Sequence, residues 1–371
     1  MILLVTYDVR RRGGIERLSL QVREGLRRNG HPCRILATRR LGPSKAGRLA
    51  GQIWFLLQLA WWLPRSEVVF SMHALLLRPI RRLGSLPGAR RPGQRLLCWL
   101  HGIEVWGANL PPLTPDLRAC DALAASSGFT RDQVQQRLGA SPPIHVIHPC
   151  ADPAEGERTP APPGLRLLTV ARMARQERYK GHDLILEALS LLRQRGVLPA
   201  VLRWRVVGEG EDRPRLQARA VELGLQAHID WLGALEDGAL RREYRDCSLV
   251  VMPSAFGLRA DGSARGEGFG ITYLEAALAG RASIAADRGG QTDLILDRQT
   301  GWLLPPSAEA LADLLEHLQE DPEQVRLCGE RAFQHASRLF SPEQQQRRLA
   351  ALLKSGPAGG SPAPQPARAA G

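Results

Sequence analysis

The chain has 371 residues, 44% of them hydrophobic and 5% aromatic, with a formal net charge of +13 and a pI of about 10.4. That is a globular composition, long enough for two domains of about 150 to 200 residues, each with its own core. The positive balance favours polyanions, acidic membrane surfaces or phosphorylated substrates, although its short runs, Arg10-Arg11-Arg12, Arg39-Arg40, Arg81-Arg82 and Arg90-Arg91, sit in unrelated segments.

"ILLVTYDV" is a β-rich run followed by Gly13-Gly14, a helical period in "ERLSLQVREGLRRNG" that Gly30 ends, and a second strand in "CRILAT". This is a βαβ opening, and the start shows neither a basic n-region nor a cleavage site. Six cysteines lack any CxxC pairing, which argues for a reducing cytosol. Ile53–Leu63, bounded by Arg48 and Arg65, is shorter than the ~20 residues a spanning helix requires. It reads as a helix packed on a buried sheet, and its Trp54, Trp61 and Trp62 as able to rest at an interface. The rhythm continues through "EVVFSMHALLL", "RLLCWLHGIEVW", "ALAASS" and "IHVIHP". It halts at "DPAEGERTPAPPG", a Pro/Gly/charge-rich linker, and restarts with "LRLLTVARM", "WRVVGEG", "IDWLGAL", "SLVVMPS", "ASIAAD" and "GWLLPP". Apolar runs of this kind suit parallel strands covered on both faces. The expected fold is α/β, two Rossmann-like domains facing across a cleft. Residues 1–155 and 156–340 form the domains, 341–356 a helix able to cross back to the first, and 357–371 a disordered tail.

In open parallel sheets ligands bind beyond the carboxyl ends of the strands, so the loops after the strands carry the candidates. "GEGEDRP" (208–214) follows a strand, but Arg213 stands where a dinucleotide fingerprint demands its third glycine. There is no P-loop, and no D-x-D pair to place a divalent metal on a diphosphate. A diphosphate held without metal requires fixed cations, and Arg172 and Lys180 supply a guanidinium fork and a point charge. In "GEGFGITYLEAALAG" (266–280), glycines make a helix through Glu267 unfavourable. Glu267 reads as the last loop residue and Glu275 as lying two turns into a helix.

"VARMARQERYKGHDLILEAL" and "EGFGITYLEAALAG" resemble the R…KG and E-x7-E segments of retaining glycosyltransferases of the group 1, family 4 type, enzymes of GT-B architecture. The similarity extends from Gly13-Gly14 through "HGIEVWG", "ASSGFTR" and "RGGQTDLILDRQTGWLLPP", nearly the whole chain. It implies a metal-independent hexosyltransferase. Such an enzyme takes a nucleotide-diphosphate sugar, GDP-mannose-like or a UDP-sugar, as substrate, needs no further cofactor, and uses a lipid-linked or glycan acceptor. Its expected place is cytoplasmic, on the anionic inner face of the membrane. By the same resemblance Glu267 holds the donor sugar near its anomeric carbon, Glu275 the ribose, and Arg172 and Lys180 the diphosphate. Gly268 and Gly270 let the backbone approach the donor, Phe269, Gly270 and Ile271 offer backbone N–H groups, Gly13 and Gly14 approach the phosphates or acceptor by backbone, and His101 sits near the sugar and the acceptor hydroxyl. A histidine after a buried strand is equally often a structural hydrogen-bonder, and His73 reads as structural. Glu104 is a candidate acceptor-side contact, and the loop 255–265 a cover for the donor sugar. The usual Asn-Gly-Val-Asp linker signature is replaced by "HPCAD", which retains Asp152. A nucleotide-sugar epimerase of the same architecture remains an alternative, and a nucleic-acid-binding protein a weaker one, since no basic recognition helix is present.

Overall fold

The computed structural model describes residues 1–9, 13–39, 44–139, 142–151 and 164–355; the linker, Asp152 and the tail from 357 lie outside them. The first unit runs β1 (Ile2–Thr6), α1 (Gly14–Arg28), β2 (Cys33–Ala37), α2 (Lys45–Trp62), β3 (Val68–Ser71), α3 (Leu77–Gly84) and β4 (Arg95–Leu100). It continues with α4 (Thr114–Arg118), β5 (Ala122–Ala125), α5 (Gly128–Leu138) and β6 (Ile144–Val146). The second runs β7 (Arg166–Val170), α6 (His182–Gln194), β8 (Arg203–Val207), α7 (Arg213–Glu222), β9 (Ile229–Gly233), α8 (Asp237–Asp246) and β10 (Leu249–Met252). A small hairpin, β11 (Gly257–Leu258) and β12 (Ala264–Arg265), leads into α9 (Ile271–Leu278), β13 (Ala282–Ala286), β14 (Gly301–Leu304), α10 (Ala308–Glu320), α11 (Pro322–Leu339) and α12 (Pro342–Lys354).

Each unit is a six-stranded parallel sheet, ordered β2-β1-β3-β4-β5-β6 in the first and β14-β13-β10-β7-β8-β9 in the second. Helices cover both faces, which is why the central strands are continuously apolar. β1 is buried at all five positions, as is β13. The doubly wound architecture expected from the strand–helix rhythm is therefore present twice. In the first sheet the strand order reverses between β1 and β3, in the second between β7 and β10. Those two switch points are where such sheets leave a crevice.

Helix α12 does not pack on the second sheet. Its Leu349 and Leu352 enter the core formed by Leu18, Val22 and Leu26 of α1 with Ile2 and Leu4. Arg95 donates to the carbonyls of Leu352 and Leu353. Helix α2 departs from the expectation for it. Only a narrow stripe, Gly51, Phe55 and Leu59, is buried, and most of its large apolar side chains point outward.

The loop 255–265 contains the small hairpin. It clasps the other domain: Phe256 packs edge-on against Trp106 and Phe129, and Ala108 donates to the Gly262 carbonyl at 2.8 Å.

Candidate functional site

The loops after β1, β3, β4, β7 and β10 converge on one cavity of about 1140 Å³ between the two units. Among its lining residues are Gly13, Gly14, His101, Arg172, Lys180, Glu267, Gly268, Phe269, Gly270 and Ile271, that is, every candidate except Glu275. The domains meet tightly at its floor. A Cβ built on Gly268 would lie 2.1 Å from the His101 carbonyl oxygen across the two domains; within the second domain, one on Gly290 would lie 1.9 Å from the Gly268 oxygen. Only glycine permits that approach.

On the second domain's side, β7 ends in the loop that carries Arg172, and a short 3₁₀ stretch, Arg175–Lys180, leads to α6. Gly208 and Gly210, which tempted a dinucleotide reading, serve this loop. A Cβ at either would lie 2.0 or 2.1 Å from the carbonyl oxygen of Ala171 or Met173, and both glycines have positive φ. Gly208→Ala is expected to cost about 2–4 kcal/mol of stability through overlap and backbone strain, checked by denaturant unfolding. Below the loop, Asp212 accepts from both Arg178 and Arg215, while Arg215 also bridges to Asp183. The guanidinium bonds from Arg215 outweigh burial and hold the Asp212 carboxyl well below the usual range. This network, centred on the buried Asp212, fixes the start of α6 and hence Lys180.

The two cations differ more than their sequence suggests. Lys180 donates to Glu267 Oε2 at 2.6 Å, with both side chains 16% exposed. Burial pulls against the lysine's charge, but the Glu267 carboxylate, aided by Tyr179, more than compensates and raises its pKa. Arg172 is 75% exposed and paired with Glu177 at 2.5 Å. One is a buried charge inside the cavity wall, the other a solvated charge at its rim.

Helix α9 starts at Ile271, later than expected, because Gly270 adopts φ +94°. Glu267 is thus four residues ahead of the helix rather than the last loop residue, and Glu275 lies about one turn in, not two. No side chain caps the first N–H groups of α9, and none caps α1, whose N-cap is Gly13. The two helix starts face each other: a Cβ on Gly14 would touch Ile271 Cδ1 at 3.3 Å. Uncapped helix starts opening into a cavity offer donors and positive dipole ends to an anion. Glu275 sits outside the cavity lining, accepting from Arg17 of α1 at 2.9 Å and from the Tyr244 hydroxyl at 3.0 Å.

On the first domain's side, His101 Nε2 lies 2.6 Å from the Met72 carbonyl, which holds the ring between Trp99 and His73. Glu104 is not free for an acceptor. Its two oxygens accept from the backbone N–H groups of His101 and Gly102 at 2.6 and 2.9 Å, bracing the loop. His73, read as structural, lines the cavity as well, 5.7 Å, ring to ring, from His101, a placement that only the adjacency of β3 and β4 reveals. It also accepts from Leu75 N through Nδ1, a bond that requires the unprotonated ring. Burial pushes its pKa down to about 4, and burial does the same to His182. Both fall below their unfolded value near 6.5, so their contribution to stability is present above that pH and is lost as pH falls toward 4. A loss on the order of 2–3 kcal/mol per histidine between pH 7 and 4.5 is expected. Urea unfolding at the two pH values measures it, and His182→Leu should remove its share of the drop.

Two family models match the chain: Glycosyltransferase Family 4 over residues 12–155 and Glycosyl transferases group 1 over 164–335. The chain belongs to this two-domain glycosyltransferase family, with the GT-B fold. A lipopolysaccharide core biosynthesis mannosyltransferase of Rhizobium leguminosarum bv. viciae is 32% identical over 215 residues, the match covering 57% of each chain. A GDP-mannose-dependent α-(1-6)-phosphatidylinositol monomannoside mannosyltransferase of Mycolicibacterium smegmatis is 27% identical, over 88% of this chain and 83% of the relative. Among solved structures, Anabaena HepE with UDP and glucose superposes with TM-score 0.73 at 18% identity, covering 95% of this chain and 99% of that one. The sucrose-phosphate synthase of Thermosynechococcus elongatus gives 0.76 at 17% identity, covering 95% and 98%.

Proposed function

We propose that the protein transfers a hexose, with retention of anomeric configuration, from a nucleotide-diphosphate sugar to a lipid-linked or polysaccharide acceptor in cell-surface glycan assembly. The observation that carries this reading is the meeting of two topological switch points in one cavity, lined by the Lys180–Glu267 pair and the uncapped starts of α1 and α9. Fixed cations and helix dipoles suit a diphosphate and need no metal to hold it. Lys180 and Arg172 stabilise the charge that grows on the leaving diphosphate, as preorganised electrostatic catalysis requires.

The acceptor hydroxyl attacks the face of the anomeric carbon from which the diphosphate departs. The carbon–oxygen bond to phosphate breaks, the bond to the acceptor oxygen forms, and the acceptor proton passes to a phosphate oxygen. No protein base is then needed. His101 is held by its bond to the Met72 carbonyl and orients the sugar and acceptor. Glu267 positions the donor sugar, and Glu275 takes the ribose, giving up Arg17 to do so. The mannosyltransferases among the relatives favour a GDP-mannose-like donor, with UDP-sugars second. An epimerase would share the cleft, but no feature of this cavity favours it. The setting proposed is the cytoplasmic face of the membrane. Calorimetric titration with GDP and UDP tests the donor site: saturable binding of one is expected, and binding of neither would contradict the reading.

A further inference from the structure

Helix α2 is built to face something other than water. Along Lys45–Trp62 the buried positions Gly51, Phe55 and Leu59 recur every four residues, the spacing of one narrow stripe. The opposite face at 100° per residue carries Leu49, Ile53, Leu56, Leu57, Ala60 and Trp61. Ile53 is 49%, Leu57 65% and Trp61 57% exposed. No charged residue lies between Arg48 and Arg65. Six contiguous apolar side chains exposed on one helix exceed what a solvated surface ordinarily leaves uncovered.

The segment that carries the helix is strongly basic in sequence. Between Cys33 and Leu100 stand twelve lysines and arginines against Glu67 alone, so this segment carries eleven of the chain's thirteen net positive charges. Lys45 and Arg48 lie in the first turn, and the Arg65 guanidinium stacks over the exposed Trp61 ring at 3.8 Å. Arg34 lies over the neighbouring Trp62 in the same way. An aromatic rim and flanking cations fit the boundary between acyl chains and anionic headgroups. Among the described residues no helix is long and apolar enough to cross a membrane.

We propose that the outer face of α2 seats this protein on an anionic lipid bilayer, with the helix lying in the interface plane. The helix is joined to the cavity wall through its buried face. Phe55 and Leu59 of α2 share a core cluster with Leu77 and Ile80 of α3, whose second residue, Arg78, lines the cavity. A seat on this domain holds the enzyme at the surface where a lipid-linked acceptor lies. That purpose rests on the transfer reading; the seat itself does not.

Flotation with phosphatidylcholine vesicles, with and without phosphatidylglycerol, tests the seat independently of any transfer. The protein should float with the anionic vesicles and be released as salt rises, because headgroup attraction is screened. Ile53→Glu with Leu57→Glu should lower partitioning roughly tenfold or more, and the milder pair Ile53→Ser with Leu57→Ser should lower it less. GDP or UDP affinity and the unfolding midpoint should be unchanged in both. Failure of the wild-type protein to float with anionic vesicles would overturn the proposal, as would equal flotation of the glutamate pair. A concentration-dependent dimer dissolved by the same substitutions, without vesicle binding, would assign the face to a second copy and overturn it too.

Discussion

Lys180→Ala is expected to lower kcat/KM for the donor by roughly 30- to 1000-fold, the equivalent of about 2–4 kcal/mol of transition-state stabilisation. The reason lies in its burial. An ammonium enclosed beside Glu267 acts through little water, so the charge that it offers a departing diphosphate is only weakly screened. Its removal also leaves Glu267 as an uncompensated carboxylate facing that same developing charge. Arg172→Ala should cost far less, on the order of 1 kcal/mol, because its guanidinium is largely solvated and tied to Glu177. The family resemblance treats the two cations as a matched clamp; the structure ranks them. Equal and small losses in both variants, with unchanged thermal unfolding, would remove Lys180 from the chemistry.

Glu267→Gln should lower kcat roughly 100-fold with little change in donor KM, since a group beside the anomeric carbon acts through alignment in the transition state. Glu275→Gln should do the reverse, raising the donor KM several-fold more than it lowers kcat, because a ribose contact is nearly the same in ground and transition states. The structure adds a physical reason for the asymmetry. Glu267 lies in the cavity wall on Lys180, whereas Glu275 sits behind it with Arg17 and Tyr244 as partners. Matched kinetic profiles in the two variants would end this division of labour.

Much of this architecture is legible in the sequence. Continuous apolar runs ending in glycine or polar loops read as parallel strands, and they are; the loops after them carry the candidates, and all but Glu275 line one cavity. What the sequence hides depends on distance along the chain or on local backbone. The Lys180–Glu267 bond joins residues 87 positions apart, and nothing in either motif announces it. Gly270 in a left-handed conformation delays the helix, which shifts both glutamates relative to it. Gly208 and Gly210 look like a failed dinucleotide motif because their partner, the Ala171–Met173 backbone, belongs to another strand's loop. The face that α2 presents is equally hidden, since an apolar run alone does not say which side meets the core.

The most direct test of sugar transfer is product analysis after incubation with radiolabelled GDP-mannose and UDP-sugars and a bacterial membrane lipid extract, with the anomeric configuration of the product read by NMR. Release of the nucleoside diphosphate is expected, with movement of the labelled hexose into the lipid or glycan fraction in the anomeric configuration it had in the donor. Recovery of the label as a free isomerised nucleotide sugar, or in a product of inverted configuration, would contradict it.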